Sequence, residues 1–269
     1  MESSDTARRK PHRGIYLLPN LLTTGGMFAG FYAIIAAMAG QPANAAIAVF
    51  VAGLLDGLDG RVARLTNTQS EFGVQYDSLA DMVSFGIAPA LVLYTWSLAS
   101  LKAYGPMAGK VGFAAAFIYA ACAALRLARF NTQVGVTDKR YFQGLASPAA
   151  AALTMSFVWA ATDNGYAGDD PVVQWIAPCV AVLAGLLMVS RLRYHSFKGA
   201  PHAAERVPFV RITLAMLIFV ALYIDTPLVS CVIATLYMLS GPVLTLWGLR
   251  QHRRTQREAS VRPEESDVT

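Results

Sequence analysis

Eight apolar runs separated by short polar or charged segments constrain this chain more than any other feature. They lie at about Ile15–Ala39, Ala43–Leu55, Ser78–Ser100, Val111–Leu127, Ala146–Ala161, Val172–Val189, Phe209–Tyr223 and Leu228–Leu249. A bilayer core is about 30 Å thick and takes roughly 20 apolar residues per helical crossing, so eight crossings need about 160 residues. The 269-residue chain holds them with short loops to spare. Only 14% of its residues are charged and 55% are hydrophobic, whereas a soluble domain carries about 25% charge. The expected fold is therefore all-α, a polytopic membrane protein of about eight transmembrane helices. The first run is too long for the core of a cleaved signal peptide and reads as a retained span. The second stops as an apolar run at Asp56, but its helix is expected to continue to about Leu65. Residues 1–16 form a basic N-terminal segment, 17–249 the transmembrane domain and 250–269 a polar tail.

The charges give this arrangement a direction. Of the 22 Lys and Arg residues, 20 fall in the two terminal segments or in the loops on the side of the termini. Only Lys102 and Lys110 fall opposite, together with Asp163, Asp169, Asp170 and Asp225. The positive-inside rule then places both termini in the cytoplasm of a cell with the chain in its inner membrane. Tyr16, Trp96, Trp159, Trp175 and Trp247 lie near predicted span ends, where amphipathic rings anchor. The net charge of +5 does not point to nucleic acid, because the basic residues are dispersed between apolar runs rather than gathered on one element. Cys122, Cys179 and Cys231 each stand alone in an apolar run and read as packing residues, not a metal or disulfide framework. His12, His195, His202 and His252 form no cluster.

The stretch from Asp56 to Asp81 carries the chemistry. On a helix, Asp56 and Asp59 are related as i,i+3 and Asp77 and Asp81 as i,i+4, so each pair projects from one face at neighbouring turns. An aspartate in the middle of a membrane helix costs on the order of 2.5–3.5 kcal/mol, and four clustered ones repel one another. Hard dications such as Mg²⁺ or Mn²⁺ resolve the conflict, since they prefer carboxylate oxygens and complete their shell with substrate phosphates. Gly60 and Ala63 keep the same helix face nearly free of bulk, a trough for a nucleotide or diphosphate. Arg64 reaches a phosphate from the next turn, and Gly73 clears space one turn before Asp77. A salt-bridge patch would account for two aspartates but not for four at matching turns. Paired intramembrane carboxylates also occur in cation or proton-coupled transporters, where broken helices at the midplane are expected. Here the aspartates sit at span ends, which favours an enzyme.

The same stretch resembles the signature of the CDP-alcohol phosphotransferase family, D-x2-D-G-x2-A-R-x8-G-x3-D-x3-D, with every fixed position filled by Asp56, Asp59, Gly60, Ala63, Arg64, Gly73, Asp77 and Asp81. The resemblance implies a membrane enzyme in which an alcohol attacks a CDP-linked lipid and CMP is released. It implies two divalent ions, Mg²⁺ or Mn²⁺, held by Asp56, Asp59, Asp77 and Asp81, with Asp81 also the general base. It further implies that Asp59, Gly60, Ala63, Arg64 and Gly73 seat the cytidine nucleotide, and that the enzyme is a homodimer among membrane lipids.

Further segments narrow the acceptor. L-P-N-L-L-T at Leu18–Thr23, D-M-V-S-F-G-I-A-P-A at Asp81–Ala90, R-L-A-R-F-N at Arg126–Asn131, F-Q-G-L-A-S-P-A-A-A at Phe142–Ala151 and M-V-S-R-L-R-Y-H-S-F-K at Met188–Lys198 are similar to the bacterial phosphatidylserine synthase branch of that family. Ala146 departs from the proline frequent there. This branch implies CDP-diacylglycerol as donor and L-serine as acceptor. Arg126 and Arg129, one turn apart, suit an anion such as the serine carboxylate, and Asn131 adds a hydrogen bond. Charge alone leaves these arginines equally readable as topology signals. Glycerol 3-phosphate or inositol phosphate would use a similar pocket.

Overall fold

The computed structural model describes residues 17–66, 68–132, 141–195 and 209–261. The chain is built from α1 (Leu17–Met38), α2 (Pro42–Leu65), α3 (Glu71–Asp81), α4 (Ala88–Trp96), α5 (Pro106–Thr132), α6 (Ser147–Asp163), α7 (Pro171–Val189), α8 (Phe209–Ile224) and α9 (Thr226–Val261). A π-helical segment, Met82–Ile87, joins α3 to α4, and a 3-10 turn, Leu98–Tyr104, follows α4. Two three-residue strands, β1 (Tyr141–Gln143) and β2 (Arg193–His195), pair antiparallel with Phe142 opposite Tyr194. Each predicted apolar run thus has its helix, and the chain is an all-α polytopic membrane protein. Among the described residues, five helical stretches are long and apolar enough to cross a bilayer by themselves: Leu17–Met38, Glu71–Tyr104, Pro106–Thr132, Pro171–Val189 and Thr226–Thr245. α2 carries its aspartates and arginines, while α6 and α8 are shorter, at 17 and 16 residues. α9 does not stop at Leu249 but continues to Val261. Residues 1–16, with His12 and Tyr16, lie outside the described residues, as does His202.

Small residues let the first two helices meet closely, as helices do in lipid, where apolar burial gives no net drive and packing decides. Ala29, Ala33, Ala36 and Ala37 of α1 are buried against a core that includes Ala45, Ala46, Val49 and Ala52 of α2. The turn between them is set by Gly40 at φ +72°, where Gly40 N–H bonds Ala37 and Gln41 N–H bonds Ala36, closing the end of α1. Pro42 then opens α2 at a position where no N–H is needed. Large apolar side chains cover much of the outer surface of the helices: Leu21, Phe28, Phe31, Phe113, Phe117, Leu183 and Leu186 are all exposed. Lipid is the solvent that suits them.

Gly26 and Gly30 spend their small size inside the chain. A Cβ on Gly30 would lie 2.6 Å from Ser84 Oγ and one on Gly26 3.6 Å from the Ala52 carbonyl. At the end of the bundle away from the aspartates, Trp96 packs edge-on against Phe157 and Trp175 against Tyr104. The three cysteines are free; Cys122 is buried and packs as expected, whereas Cys179 is exposed on α7. The sequence placed Cys179 as a packing residue. In this chain it faces outward.

Candidate active site

The last two and a half turns of α2 and the whole of α3 form the site. α2 ends at Thr66, whose N–H closes onto the Val62 carbonyl and whose hydroxyl bonds the same oxygen at 2.8 Å. Ser70 then caps α3 by accepting from Gly73 N–H at 3.0 Å. This tight reversal brings the second aspartate pair back beside the first. One carboxylate oxygen from each of Asp56, Asp59 and Asp77 lies within 4.8 Å of the others. Asp81 is in electrostatic contact with Asp56 and Asp77. All four aspartates line one cavity of about 190 Å³, mouth included, with Thr23, Ser84 and the apolar floor of Ala52, Ala80 and Phe85.

Each carboxylate has a distinct setting. Asp59 is the most enclosed, 5% exposed, and accepts a 2.7 Å hydrogen bond from the Thr23 hydroxyl of α1. That hydroxyl also lies 3.1 Å from the Pro19 carbonyl, and its single proton favours the shorter, charged acceptor. Asp56, Asp77 and Asp81 are half-buried. Three or four hard oxygen donors converging with few cationic neighbours are a donor set that fits Mg²⁺ or Mn²⁺ and suits neither zinc nor copper.

The other anticipated residues fall into two groups. Beside Asp59, Gly60 is exposed, and a Cβ there would meet nothing within 4 Å, so the trough is open. Arg64 is exposed one turn on, its Nε donating to the Gly60 carbonyl at 2.8 Å. Ala63 is half-buried. Gly73 sits differently: its Cβ position is 3.2 Å from Ser70 Oγ and 3.7 Å from Asn20 Oδ1, so it serves the cap and the contact with α1.

At the end of α5, Arg126 lies within electrostatic range of Asp81, and its Nη1 donates to Ser147 Oγ, the first residue of α6, at 2.6 Å. Its Nε is buried with no hydrogen-bond partner. Arg129 is half-buried one turn away. Asn131 is turned toward α3, exchanging hydrogen bonds of 3.0 and 3.2 Å with Ser78. α6 starts after Ala146 at φ −62°, a value proline also adopts, so the departure noted in the sequence leaves the backbone unchanged.

Three features were not legible beforehand. The Thr23 contact with Asp59 joins residues 36 apart and has no local signal. Ser147 was visible only as part of a motif. The π-helical segment beginning one residue after Asp81 changes the register of everything beyond it. It buries Ser84, whose hydroxyl donates to the Gly26 carbonyl at 3.1 Å. Such segments are common at functional sites.

The sequence model of the CDP-alcohol phosphatidyltransferase family matches residues 16–187. A CDP-diacylglycerol–serine O-phosphatidyltransferase of Helicobacter pylori is 37% identical over 238 residues, covering 88% of this chain and 94% of that protein. A protein of the same name from Mycobacterium leprae is 34% identical over 74% of this chain and 66% of its own length. One from Bacillus subtilis is 30% identical over 71% of this chain and 95% of its own. With its aspartates gathered from two helix faces and a match over most of its length, the chain belongs to the CDP-alcohol phosphatidyltransferase family.

Proposed function

We propose that the chain transfers the phosphatidyl group of CDP-diacylglycerol to the hydroxyl of L-serine, giving phosphatidylserine and CMP. The observation that carries this reading is the convergence of four carboxylates on one cavity beside an open glycine trough. The names of the relatives support serine as acceptor. The reading includes an inner-membrane location with both termini in the cytoplasm, supported by the bias of Lys and Arg.

Asp56, Asp59 and Asp77, with Asp81 beside them, would hold two divalent ions, Mg²⁺ or Mn²⁺, which when bound supply charge neutralisation at the diphosphate and polarisation of the reacting phosphorus. The remaining work falls to the protein. The trough at Gly60 and Ala63 admits the cytidine nucleotide, and the N–H groups that Arg64 does not use on Gly60 are offered to its phosphates. Asp81 takes the proton from the serine hydroxyl as that oxygen attacks the phosphorus bearing diacylglycerol, and the bond from that phosphorus to the CMP oxygen breaks. A positioned base contributes typically about 10²–10⁴-fold. Arg126, next to Asp81, holds the serine carboxylate, so acceptor anion and base are neighbours. A homodimer, implied by the family resemblance, belongs to the same reading. Gly26 and Gly30 do not supply its interface, because α2 and the π-helical segment already occupy them.

The test offers CDP-diacylglycerol and Mn²⁺ to membranes containing the protein, with L-serine, glycerol 3-phosphate or inositol phosphate supplied separately, and follows CMP. Release with serine alone is the expected result. Release with another acceptor would move the assignment within the family, and none with any acceptor would favour a transporter.

A further inference from the structure

α9 presents different faces to the protein and to the bilayer. On the inner side Met238 is buried, and a Cβ on Gly241 would collide with the ring of Tyr194. On the outer side Val232, Leu236, Leu239 and Val243 are all exposed, and steps of four, three and four residues keep them on one face of a helix. α9 does not end with its apolar run. It continues without a break to Val261, through R-Q-H-R-R-T-Q-R-E-A-S-V from Arg250. Arg250, Arg254 and Arg257 follow Val243 by seven, eleven and fourteen residues, and Arg253 lies one turn from both Arg250 and Arg257. Helical spacing therefore carries the exposed face of the span straight into these four positions. The count starts after Pro242, so a bend at that residue does not disturb it. Gln251, His252, Thr255 and Gln256, which fall between the arginines in sequence and off their face, carry no charge, and Glu258 is the one acid from 250 to 261.

We infer that residues 250–261 of α9 form a docking face for the headgroups of anionic phospholipids. Leu249 closes the apolar run. At a rise of about 1.5 Å per residue, Arg250, Arg253 and Arg254 lie within about 8 Å of it along the helix and Arg257 within about 12 Å. The headgroup layer outside a bilayer core is about 5–8 Å deep, and a charge is felt for about 8 Å more at physiological ionic strength. All four positions are thus within reach of lipid phosphate, which guanidinium groups bind through paired N–H donors. A signal that only sets topology needs the charge and not the face. Here the charge follows the lipid-exposed face of the helix. Under the orientation proposed above the leaflet is the cytoplasmic one, where anionic lipid is concentrated. None of these positions lines the carboxylate cavity, so the face serves the seating of α9 in the membrane and not the chemistry at phosphorus.

The test is quenching of tryptophan emission by brominated lipid, in vesicles of phosphatidylcholine with a minor share of phosphatidylglycerol, the bromine placed on one lipid or on the other. Trp247 stands three residues before Arg250, and Trp96, Trp159 and Trp175 give a background common to every variant. Wild type is compared with Arg250→Gln/Arg253→Gln/Arg254→Gln/Arg257→Gln. A second variant keeps the charge and moves most of it off the face: Arg250→Gln/Gln251→Arg/Arg254→Thr/Thr255→Arg/Gln256→Arg/Arg257→Gln. Phosphatidylglycerol is expected to quench wild type at least about fivefold above its bulk share, which is what one arginine at an anionic surface contributes. The preference should vanish at about 1 M salt, where screening shortens to about 3 Å, and in the all-glutamine variant, and should fall at least about twofold in the shifted one. Unfolding midpoints in detergent should agree for all three proteins, since a face turned to lipid holds nothing in the bundle together. Equal quenching by both lipids in wild type overturns the inference, whatever the variants do. So does a shifted variant that matches wild type, which would leave the arginines a topology signal, or a fall in a variant's midpoint, which would make this a packing face. Both leaflets of the vesicles hold anionic lipid, so each of these results leaves the proposed orientation and the serine reading standing.

Discussion

The phenol of Tyr119 donates to the backbone carbonyl of Phe85 at 3.1 Å, and Pro89, four residues further on, has no N–H to offer that carbonyl. Tyr119 is fully buried on α5, and Phe85 lies in the π-helical segment directly after Asp81. The bond therefore fixes the backbone that aims the proposed base. Tyr119→Phe leaves a buried carbonyl short of a partner, a loss of about 1–3 kcal/mol. A lowered unfolding midpoint and a reduced kcat are the expected outcomes. An unchanged midpoint would show that the carbonyl is satisfied without the phenol.

Asp59, a proposed metal ligand, accepts its hydrogen bond from Thr23, and partners of metal ligands matter nearly as much as the ligands. Thr23→Val, which removes the hydroxyl while keeping the shape, is expected to weaken metal-dependent activity about 10- to 100-fold in a Mn²⁺ titration. A titration curve superimposable on wild type would remove Thr23 from that role.

The four aspartates should separate by function. Asp81→Asn is expected to lower turnover by about 10²–10⁴-fold while much of the CDP-diacylglycerol binding survives. Asp56→Asn is expected to shift the metal requirement upward and to weaken metal-dependent binding of the CDP-lipid. Full CMP release by the first variant, or an unaltered metal titration by the second, contradicts the assigned roles.

Two glycines of similar appearance in the sequence should respond oppositely. Gly30→Val pushes a side chain into Ser84, whose Cα lies 2.7 Å from the Cβ position, so it should lower stability and disturb the site through the π-helical segment. Gly57→Ala, with open space around its Cβ position, should raise helix stability by about 0.8–1 kcal/mol. Thermal unfolding of both variants in one detergent compares them directly.

The spacing of Asp56, Asp59, Asp77 and Asp81 was legible because helical periodicity alone places each pair on a face. The hydropathy runs located the helices for the same reason. What periodicity does not carry is register and long-range contact. A π-helical segment after Asp81 leaves no mark in an apolar stretch such as Met82–Ile87. The pairing of β1 with β2 joins two loops that read as polar connections. Arg126 and Arg129 looked alike as basic residues at a span end. The fold gives Arg126 a hydrogen bond to Ser147 at the start of α6 and places it within electrostatic range of Asp81 at the end of α3, neither of which a helical pattern carries.

Chelation tests the carboxylate cluster most directly. Purified protein with CDP-diacylglycerol and L-serine, stripped with EDTA, should release no CMP and should regain release on adding Mg²⁺ or Mn²⁺ in excess. Release at the full rate in EDTA would contradict a dication site at Asp56, Asp59 and Asp77, and with it the proposed chemistry.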